Sequence, residues 1–341
     1  MKRIHVVAAV IRGVDHHEQE AILISKRPDH VHQGGKWEFP GGKVESDETV
    51  ESSLIRELQE ELGITPTKYS PLIQIHHDYP DKSVFLDVWE VQAFSGEPHG
   101  AEGQLIEWVD AERLNEFEFP AANVPIVNAA MLPSLYWITP EPDKSSAEFL
   151  SLIEQRLKLG VKLIQFRVKQ EFSSVNLKEL SQQVSALCKQ FKADLFVNSF
   201  TLQCCLNPIV DEGVDAMNSE EIRARFQGIH LTSSHLQQQG ENEIRNSIVA
   251  LELPLSASCH DQEELNRAEE LGCRFATLSP INSTESHPDV ELLDLDSALT
   301  WVKQAKLPVY GLGGMKPSQV DQFKQLGFQG VAGIRLCDRE Q

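Results

Sequence analysis

Residues 42–64 read GKVESDETVESSLIRELQEELGI, and this stretch predicts one helix with a definite beginning and end. Apolar residues recur there at intervals typical of an amphipathic helix, which we place at roughly Thr49–Leu62. These residues are Val50, Leu54, Ile55, Leu58 and Leu62. Gly63 follows the last of them and is a natural helix stop. The helix therefore has an apolar face that can pack into a core and a second face that is polar.

That second face is acidic. Glu57, Glu60 and Glu61 fall at positions i, i+3 and i+4, so three carboxylates share one side of the helix. Such a face is either solvated surface or, because unpaired carboxylates repel, a site that hard divalent cations stabilise. Gly41 and Gly42 come shortly before it and can bring bare backbone close to a metal ion or a phosphate.

Arg56 lies at another angle around the same helix, and we expect it to pair with Glu48. Such a pair would lock the loop before the helix to the helix itself.

The whole chain is acidic, with 31 Lys and Arg against 51 Asp and Glu in 341 residues, a net charge of -20. This balance argues against a protein that coats nucleic acid or an anionic membrane by bulk charge. The sequence shows no apolar run long enough for a signal-peptide core or a membrane span. Its six cysteines lack zinc-type spacing. We therefore expect a cytoplasmic protein with reduced thiols.

Apolar runs on both sides of the helix predict an α+β unit with mostly antiparallel strand pairing. The expected strands are Ile4–Ile11, Ala21–Ser25, Leu72–His77 and Ser83–Val91. We place the end of this first domain at residue 131 and the start of the second at residue 135, so the domains span 1–131 and 135–341.

Beyond residue 132, short apolar runs alternate with helical stretches, as in an α/β barrel of the TIM type, (β/α)₈. The runs are Leu135–Thr139, Lys162–Val168, Asp194–Ser199, Gly228–Leu231, Pro254–Cys259, Phe275–Pro280, Pro308–Gly313 and Gly330–Arg335. The connection between the third and fourth runs, residues 200–227, is expected to be long and irregular.

The spacing of residues 42–64 resembles the Nudix box at every motif position: Gly, five residues, Glu, seven residues, then RELQEELGI. The resemblance implies a Nudix fold and a hydrolase that cleaves nucleoside diphosphates linked to another group. It also implies Mg²⁺, or Mn²⁺, held by the glutamates of the box.

Residues outside the box resemble the MutT type, which hydrolyses 8-oxo-dGTP to the monophosphate and pyrophosphate. The similar segments are residues 36–43, 96–104 and 119–125. The resemblance implies metal ligands at Gly41, Glu57, Glu60, Glu61 and Glu102, and catalytic roles for Glu57, Glu60, Glu102 and Arg56. The implied nucleotide-binding residues are Arg27, His32, Phe39, Gly42, Lys43, Tyr79 and Asn123.

Several of these roles stay open. The general base is Glu57 or Glu102, and the sequence does not choose between them. Arg27 is alternatively a surface residue, Phe39 a core residue, and Asn123 a turn former before Pro125.

The chain from Leu135 onward resembles thiamine phosphate synthase and its TenI-like relatives. The motifs are Gln165-Phe166-Arg167-Val168-Lys169, residues 228–231, Ser279-Pro280 and residues 311–314. The resemblance implies phosphate binding at Gln165, Arg167, Lys169, Gly313, Gly314 and Gly333.

The second half also departs from the synthase pattern. Synthases carry aspartates that help hold magnesium, whereas Ser199 follows Asn198 here and His235 stands near the second aspartate position. We therefore expect a degenerate phosphate-binding barrel, because little remains to hold magnesium against a diphosphate.

The sequence as a whole predicts a magnesium-dependent pyrophosphohydrolase of oxidised purine nucleoside triphosphates. Such an enzyme sanitises the nucleotide pool and so prevents replication errors. Its expected partner is a nucleoside triphosphate, with no nucleic acid polymer and no membrane, and its oligomeric state is open. The alternatives are a Nudix hydrolase of a thiamine-pathway diphosphate with a regulatory or residually active barrel, and a barrel that senses a phosphorylated metabolite.

Overall fold

The computed structural model describes residues 3–80, 82–142, 146–168, 177–206, 216–237, 243–282 and 292–336. The chain divides into two compact units. The first comprises Met1–Leu132, Val302–Pro308 and Lys324–Gln329, and the second comprises Pro133–Trp301, Val309–Phe323 and Gly330–Gln341.

The first unit is built on a mixed sheet. Its strands are β1 (Arg3–Val14), β2 (Glu20–Lys26), β3 (Trp37–Glu38), β4 (Thr65–Asp78), β5 (Ser83–Ser95) and β6 (Ile106–Val109). Their order is β3-β2-β1-β5-β4, with β6 paired to β2. The expected antiparallel pairing holds for four of the pairs, but β1 and β5 run parallel along Arg3–Ile11.

Helix α1 (Val50–Leu62) covers one face of this sheet. The Thr49 side chain accepts a hydrogen bond from the Ser52 amide at its start, and Gly63 ends it in the left-handed conformation, with φ 69°. Leu54, Leu58 and Leu62 are completely buried against apolar residues of β1, and burial of each leucine contributes about 1.5–3 kcal/mol. Packing of the apolar face therefore directs the acidic face of α1 away from the core.

The other face of the sheet carries a second apolar core. Helix α2 (Val124–Met131) packs there with Ile126, Val127, Ala129 and Ala130 buried. Two short 3₁₀ turns, Ala111–Glu116 and Ala121–Asn123, lead into it.

The second unit is a closed barrel of eight parallel strands, which confirms the expected (β/α)₈ architecture. The strands are β7 (Leu135–Ile138), β8 (Leu163–Phe166), β9 (Asp194–Asn198), β10 (Gly228–Leu231), β11 (Leu255–Cys259), β12 (Phe275–Leu278), β13 (Val309–Leu312) and β14 (Gly330–Gly333). Each strand lies inside its predicted run. Aromatic rings fill the interior, and Tyr136, Phe275 and Tyr310 have centroids 5.2 to 5.8 Å apart.

The barrel helices are α3 (Ser146–Lys158), α4 (Leu177–Gln190), α5 (Ser199–Leu206), α6 (Ser219–Arg225), α7 (Ser233–Gln237), α8 (Glu243–Ala250), α9 (Gln262–Glu270), α10 (Leu295–Gln304) and α11 (Val320–Gln325). The prediction that residues 200–227 are irregular was wrong where α5 and α6 lie, whereas residues 207–215 of that connection lie outside the described residues. A capping box between Asn218 and Glu221 starts α6 and supplies the local reason for it.

Five cysteines of the described residues are free thiols. Among the helices that the structure describes, none has the length and apolarity needed to cross a bilayer.

Candidate active site

Arg56 is the centre of the acidic site on α1. Its Nε and Nη2 donate to the two carboxylate oxygens of Glu48 at 3.1 and 2.6 Å, which is the expected pair. Nη1 also donates to Glu57 at 2.8 Å and to Glu60 at 3.0 Å, and Nη2 donates to the Lys43 carbonyl at 3.1 Å. One guanidinium thus holds three carboxylates and the preceding loop together.

The two glycines before α1 hold different places in this site. Gly41 has φ 145°, and a Cβ there would lie 2.1 Å from the Val7 carbonyl oxygen, so the backbone fits against β1 only without a side chain. A Cβ on Gly42 would lie 2.2 Å from Oε2 of Glu57. The Glu57 carboxylate therefore rests on the Gly42 backbone. The Gly41 amide donates to Glu61 at 3.0 Å.

The loop at residues 96–105 is attached to the end of α1. The Glu61 carbonyl accepts from the Ala101 amide at 2.9 Å and from the Gln104 side chain at 2.8 Å. The Gln104 side-chain oxygen in turn accepts from the Glu102 amide at 3.0 Å. These bonds bring exposed Glu102 near the carboxylates of α1, and its charge helps raise the pKa of Glu61.

The carboxylates of the site are not electrically equivalent. Hydrogen bonds from Arg56 are the main reason that the pKa of Glu48 is lowered to about 2. Burial raises the pKa of Glu57 against the opposing effect of Arg56. Burial also raises the pKa of Glu61 to about 8, and the charges of neighbouring glutamates add to the shift. Burial therefore disfavours the charged form of Glu61, whose carboxylate accepts from the Gly41 amide rather than from Arg56.

A divalent cation fits this donor set. The carboxylates of Glu57, Glu60 and Glu61 are hard oxygen ligands, and a cation beside them would oppose the burial and the repulsion that together raise the pKa of Glu61. Over the described ranges, however, no three His, Cys, Asp or Glu side chains are arranged to hold an ion as they stand. Arg56 engages Glu57 and Glu60 in this arrangement.

The predicted nucleotide side of the site surrounds the loop after β2. Arg27 donates from Nε to the His32 carbonyl at 3.1 Å and from Nη1 to the Glu38 carboxylate. The His32 ring contacts Tyr79 edge-on at a centroid distance of 5.1 Å. The Tyr79 hydroxyl accepts from the Ala122 amide at 3.4 Å, which links it to the turn before α2.

The remaining predicted residues occupy different environments. Phe39 is 3% exposed and stacks on Phe119 in the core at 5.3 Å. Asn123 is half-buried at the start of α2, and its side chain does not cap that helix. The Lys43 side chain is exposed, and its carbonyl accepts from Ser53 as well as Arg56.

Sequence reasoning missed Glu38 and Gln104 as parts of this region. Glu38 stood inside the quoted motif at residues 36–43 and was available as a signal. Gln104 likewise stood inside the similar segment at residues 96–104, but its contact with Glu61 joins distant segments and has no signal in local spacing.

Several predicted residues of the second unit lie toward the carboxyl ends of the barrel strands. Gln165 donates to the Tyr136 hydroxyl at 3.0 Å and accepts from Asn198 at 3.3 Å. Arg167 follows β8, and its charge helps lower the pKa of buried His230, whose shift comes mainly from burial. Lys169 lies outside the described residues.

The glycines predicted to bind phosphate also lie at this end. Gly313 and Gly314 follow β13 with φ of 108° and 57°, and Gly333 ends β14. A left-handed backbone explains why glycine occupies the first two positions.

Ser199 and His235, which stand where the sequence lacks acidic residues, contact each other. The Ser199 Oγ lies 2.7 Å from Nδ1 of His235 and accepts from the Thr232 amide at 3.0 Å. Burial lowers the pKa of His235, which favours its neutral form. The pair is therefore a neutral, internally satisfied contact.

Comparisons with known proteins match these two units separately. Residues 8–129 match the NUDIX domain family, and residues 135–336 match the family described as thiamine monophosphate synthase. The 8-oxo-dGTP diphosphatase of Escherichia coli is 41% identical over 127 residues, which are 37% of this chain and 95% of the relative. The CTP pyrophosphohydrolase of the same organism is 36% identical over 131 residues, 38% of this chain and 93% of the relative.

The second unit has its own relatives. A putative thiamine-phosphate synthase 2 of Aquifex aeolicus is 30% identical over 205 residues, which are 60% of this chain and 97% of the relative. The expected Nudix hydrolase domain and synthase-like barrel are both confirmed. The chain therefore belongs to the Nudix family through residues 8–129 and to the thiamine monophosphate synthase family through residues 135–336.

Proposed function

We propose that the first unit is a Mg²⁺- or Mn²⁺-dependent pyrophosphohydrolase that converts 8-oxo-dGTP to 8-oxo-dGMP and pyrophosphate. The observation that carries the proposal is the acidic face of α1, where Arg56 holds Glu57 and Glu60 and the Gly41 amide donates to Glu61 at 3.0 Å. Its role would be to remove oxidised purine nucleotides from the cytoplasmic pool before replication. The relative that hydrolyses 8-oxo-dGTP supports this substrate.

The metal ions and the glutamates have separate roles in the proposed hydrolysis. The metal ions would neutralise the triphosphate and lower the pKa of the attacking water. Glu57, which contacts Arg56 and the Gly42 backbone, would accept the proton of that water, with Glu102 as the alternative base. Water attacks the β-phosphorus, and the nucleoside monophosphate leaves.

Asn123 supplies base recognition in this proposal. A carboxamide both donates and accepts, so it can pair with the oxo and amino groups of a purine edge. Its side chain is available because it does not cap α2.

A substrate panel tests the function. The full chain is assayed with Mg²⁺ on 8-oxo-dGTP, dGTP, CTP and thiamine and pyrimidine diphosphates, with pyrophosphate and phosphate measured separately. We expect the highest kcat/KM for 8-oxo-dGTP, with pyrophosphate as product. Preference for CTP, the substrate named for the second relative, would overturn the purine assignment, and preference for a thiamine-pathway diphosphate would favour the alternative.

We further propose that the barrel binds a phosphorylated ligand without acting as a synthase. The supporting observation is the Ser199–His235 contact, a neutral pair at positions where carboxylates are expected to hold magnesium. Expression of the full chain in a strain that lacks thiamine phosphate synthase is expected to give no growth without thiamine. Full rescue would contradict this.

A further inference from the structure

Glu38 is an acidic residue of the first unit that lies beside the predicted nucleotide side of the site. It ends the two-residue strand β3, where it stands opposite Ser25 of β2. Arg27 follows β2 directly, and its Nη1 donates to the Glu38 carboxylate. Both side chains are 25% exposed, so the pair is largely shielded from water. The backbone register of β2 and β3 therefore brings the two charges together.

The other contacts of Arg27 fix its orientation. Nε donates to the His32 carbonyl at 3.1 Å, so the guanidinium is held on two edges. The main chain closes the same loop, because the Arg27 amide donates to the Lys36 carbonyl at 2.9 Å and its carbonyl accepts from Gly35 at 3.1 Å. An arginine has five N–H donors, and these side-chain bonds use two of them. The rest of the fork can bind a ligand.

Glu38 needs a charged partner where it stands, because its side chain is only 25% exposed. Burial raises the pKa of Glu38 itself, and Arg27 is the group that opposes this shift. A buried charge of this kind requires its partner. The contact with Arg27 is thus the physical reason for an acid here.

We propose that Glu38 is a positioning residue of the nucleotide site, which holds Arg27 so that its remaining donors face the nucleotide. Glu38 acts on the substrate only through Arg27. This inference rests on the proposed function, because it requires that Arg27 contact a nucleoside triphosphate.

A double-mutant cycle on the full chain tests the inference. KM and kcat for 8-oxo-dGTP are measured for wild type, Glu38→Gln, Arg27→Gln and the double variant at saturating Mg²⁺. Glu38→Gln is expected to raise KM about tenfold and to change kcat by no more than about threefold. The reason is that Arg27 would lose a contact that binds the nucleotide equally well in the ground state and in the transition state. The double variant is expected to match Arg27→Gln alone. Unchanged KM in Glu38→Gln, or multiplication of the two effects, would overturn the inference.

Two further measurements separate positioning from other roles. The Mg²⁺ concentration for half-maximal activity is expected to stay within about twofold in Glu38→Gln, and a larger shift would show that Glu38 acts through Glu61 instead. Glu118→Gln is the matched control, because Glu118 pairs with Lys36 at 3.1 Å beside the same strand and is 79% exposed. KM in this variant is expected to equal that of wild type.

The fold and the proposed function are checked in the same experiment. Should Glu38→Gln lower the thermal midpoint by more than about 4 °C, Glu38→Asp keeps the charge and is expected to give an intermediate KM. A KM for Glu38→Asp no different from wild type would then count against the proposal. Wild type that releases no pyrophosphate from any nucleotide overturns the proposed function as well, whereas an active wild type with unchanged Glu38→Gln overturns this inference alone.

Discussion

Polar side chains have different kinds of partner on the acidic face of α1 and at the carboxyl end of the barrel. On α1, Arg56 holds several carboxylates in place, and burial raises the pKa of Glu61 to about 8. In the barrel, Ser199 contacts His235, and Gln165 contacts Asn198. The first region has charge that an added cation would neutralise, whereas the second satisfies neutral groups with one another. The two units therefore differ in electrostatic character, although each belongs to a known enzyme family.

The strongest test of this contrast removes a carboxylate from α1. Glu57→Gln is expected to reduce kcat for pyrophosphate release by about 10³-fold or more, because it removes a proton acceptor and a metal ligand together. Exposed Glu51 in the first turn of the same helix provides the control, and Glu51→Gln is expected to keep normal turnover. Near-normal kcat in Glu57→Gln would exclude this role for Glu57.

The two glycines before α1 give the next largest effects, and they differ in kind. Gly42→Ala places a methyl group on the Glu57 carboxylate, which must move, and kcat is expected to fall by about 10²-fold with the thermal midpoint nearly unchanged. Gly41→Ala meets the Val7 backbone at an unfavourable φ and is expected to cost about 2 kcal/mol or more of stability. Equal losses of stability in both variants would contradict this distinction.

Stabilisation by bound Mg²⁺ is a smaller expected effect that also distinguishes the two regions. Mg²⁺ at 100 times its Kd is expected to stabilise the first unit by about 2.7 kcal/mol, seen as a rise of the thermal midpoint. Glu61→Gln is expected to raise stability without metal, since it removes a carboxyl whose charged form burial disfavours, and to weaken the response to Mg²⁺.

The matched barrel variants are Ser199→Ala and His235→Ala. They are expected to respond to Mg²⁺ as wild type does. Loss of the Mg²⁺ response in either variant would indicate a metal site in the barrel and would contradict the difference between the two regions.

The smallest predicted effect concerns pH and the barrel interior. Burial, assisted by the charge of Arg167, lowers the pKa of His230 to about 3 from the usual 6.5. The unfolded chain therefore binds a proton below pH 6.5 that the folded chain excludes, and stability falls as pH drops through that window. His230→Asn is expected to be less stable than wild type at pH 8, with the gap narrowing by about 1.5 kcal/mol between pH 6.5 and 5. A gap that stays constant would contradict the shift.

Regular patterns made much of the fold predictable. The apolar spacing along residues 49–62 identified α1, and the alternation of short apolar runs with helical stretches identified the barrel. The pair between Arg56 and Glu48 was also expected from their positions.

What the sequence did not show depends on contacts between distant segments. The parallel pairing of β1 with β5 and the strand β6 require the assembled sheet. The close contact between Glu57 and the Gly42 backbone requires the loop before α1 to be folded against β1. Local spacing contains no information about such contacts, so these features could not be read from it.

The attachment of the 96–105 loop to α1 limits how this enzyme can change. One residue, Glu61, presents its side chain to Gly41 and its carbonyl to Ala101 and Gln104. An insertion in the 96–105 loop would therefore shift Glu102 relative to the helix and disturb the chemistry. The loop between Arg27 and Lys36 instead closes at its own base through the bond from the Arg27 amide to the Lys36 carbonyl, and His32 contacts Tyr79 from it. An insertion elsewhere in that loop leaves the bond at its base in place, and it is expected to disturb hydrolysis less than an insertion of equal length in the 96–105 loop.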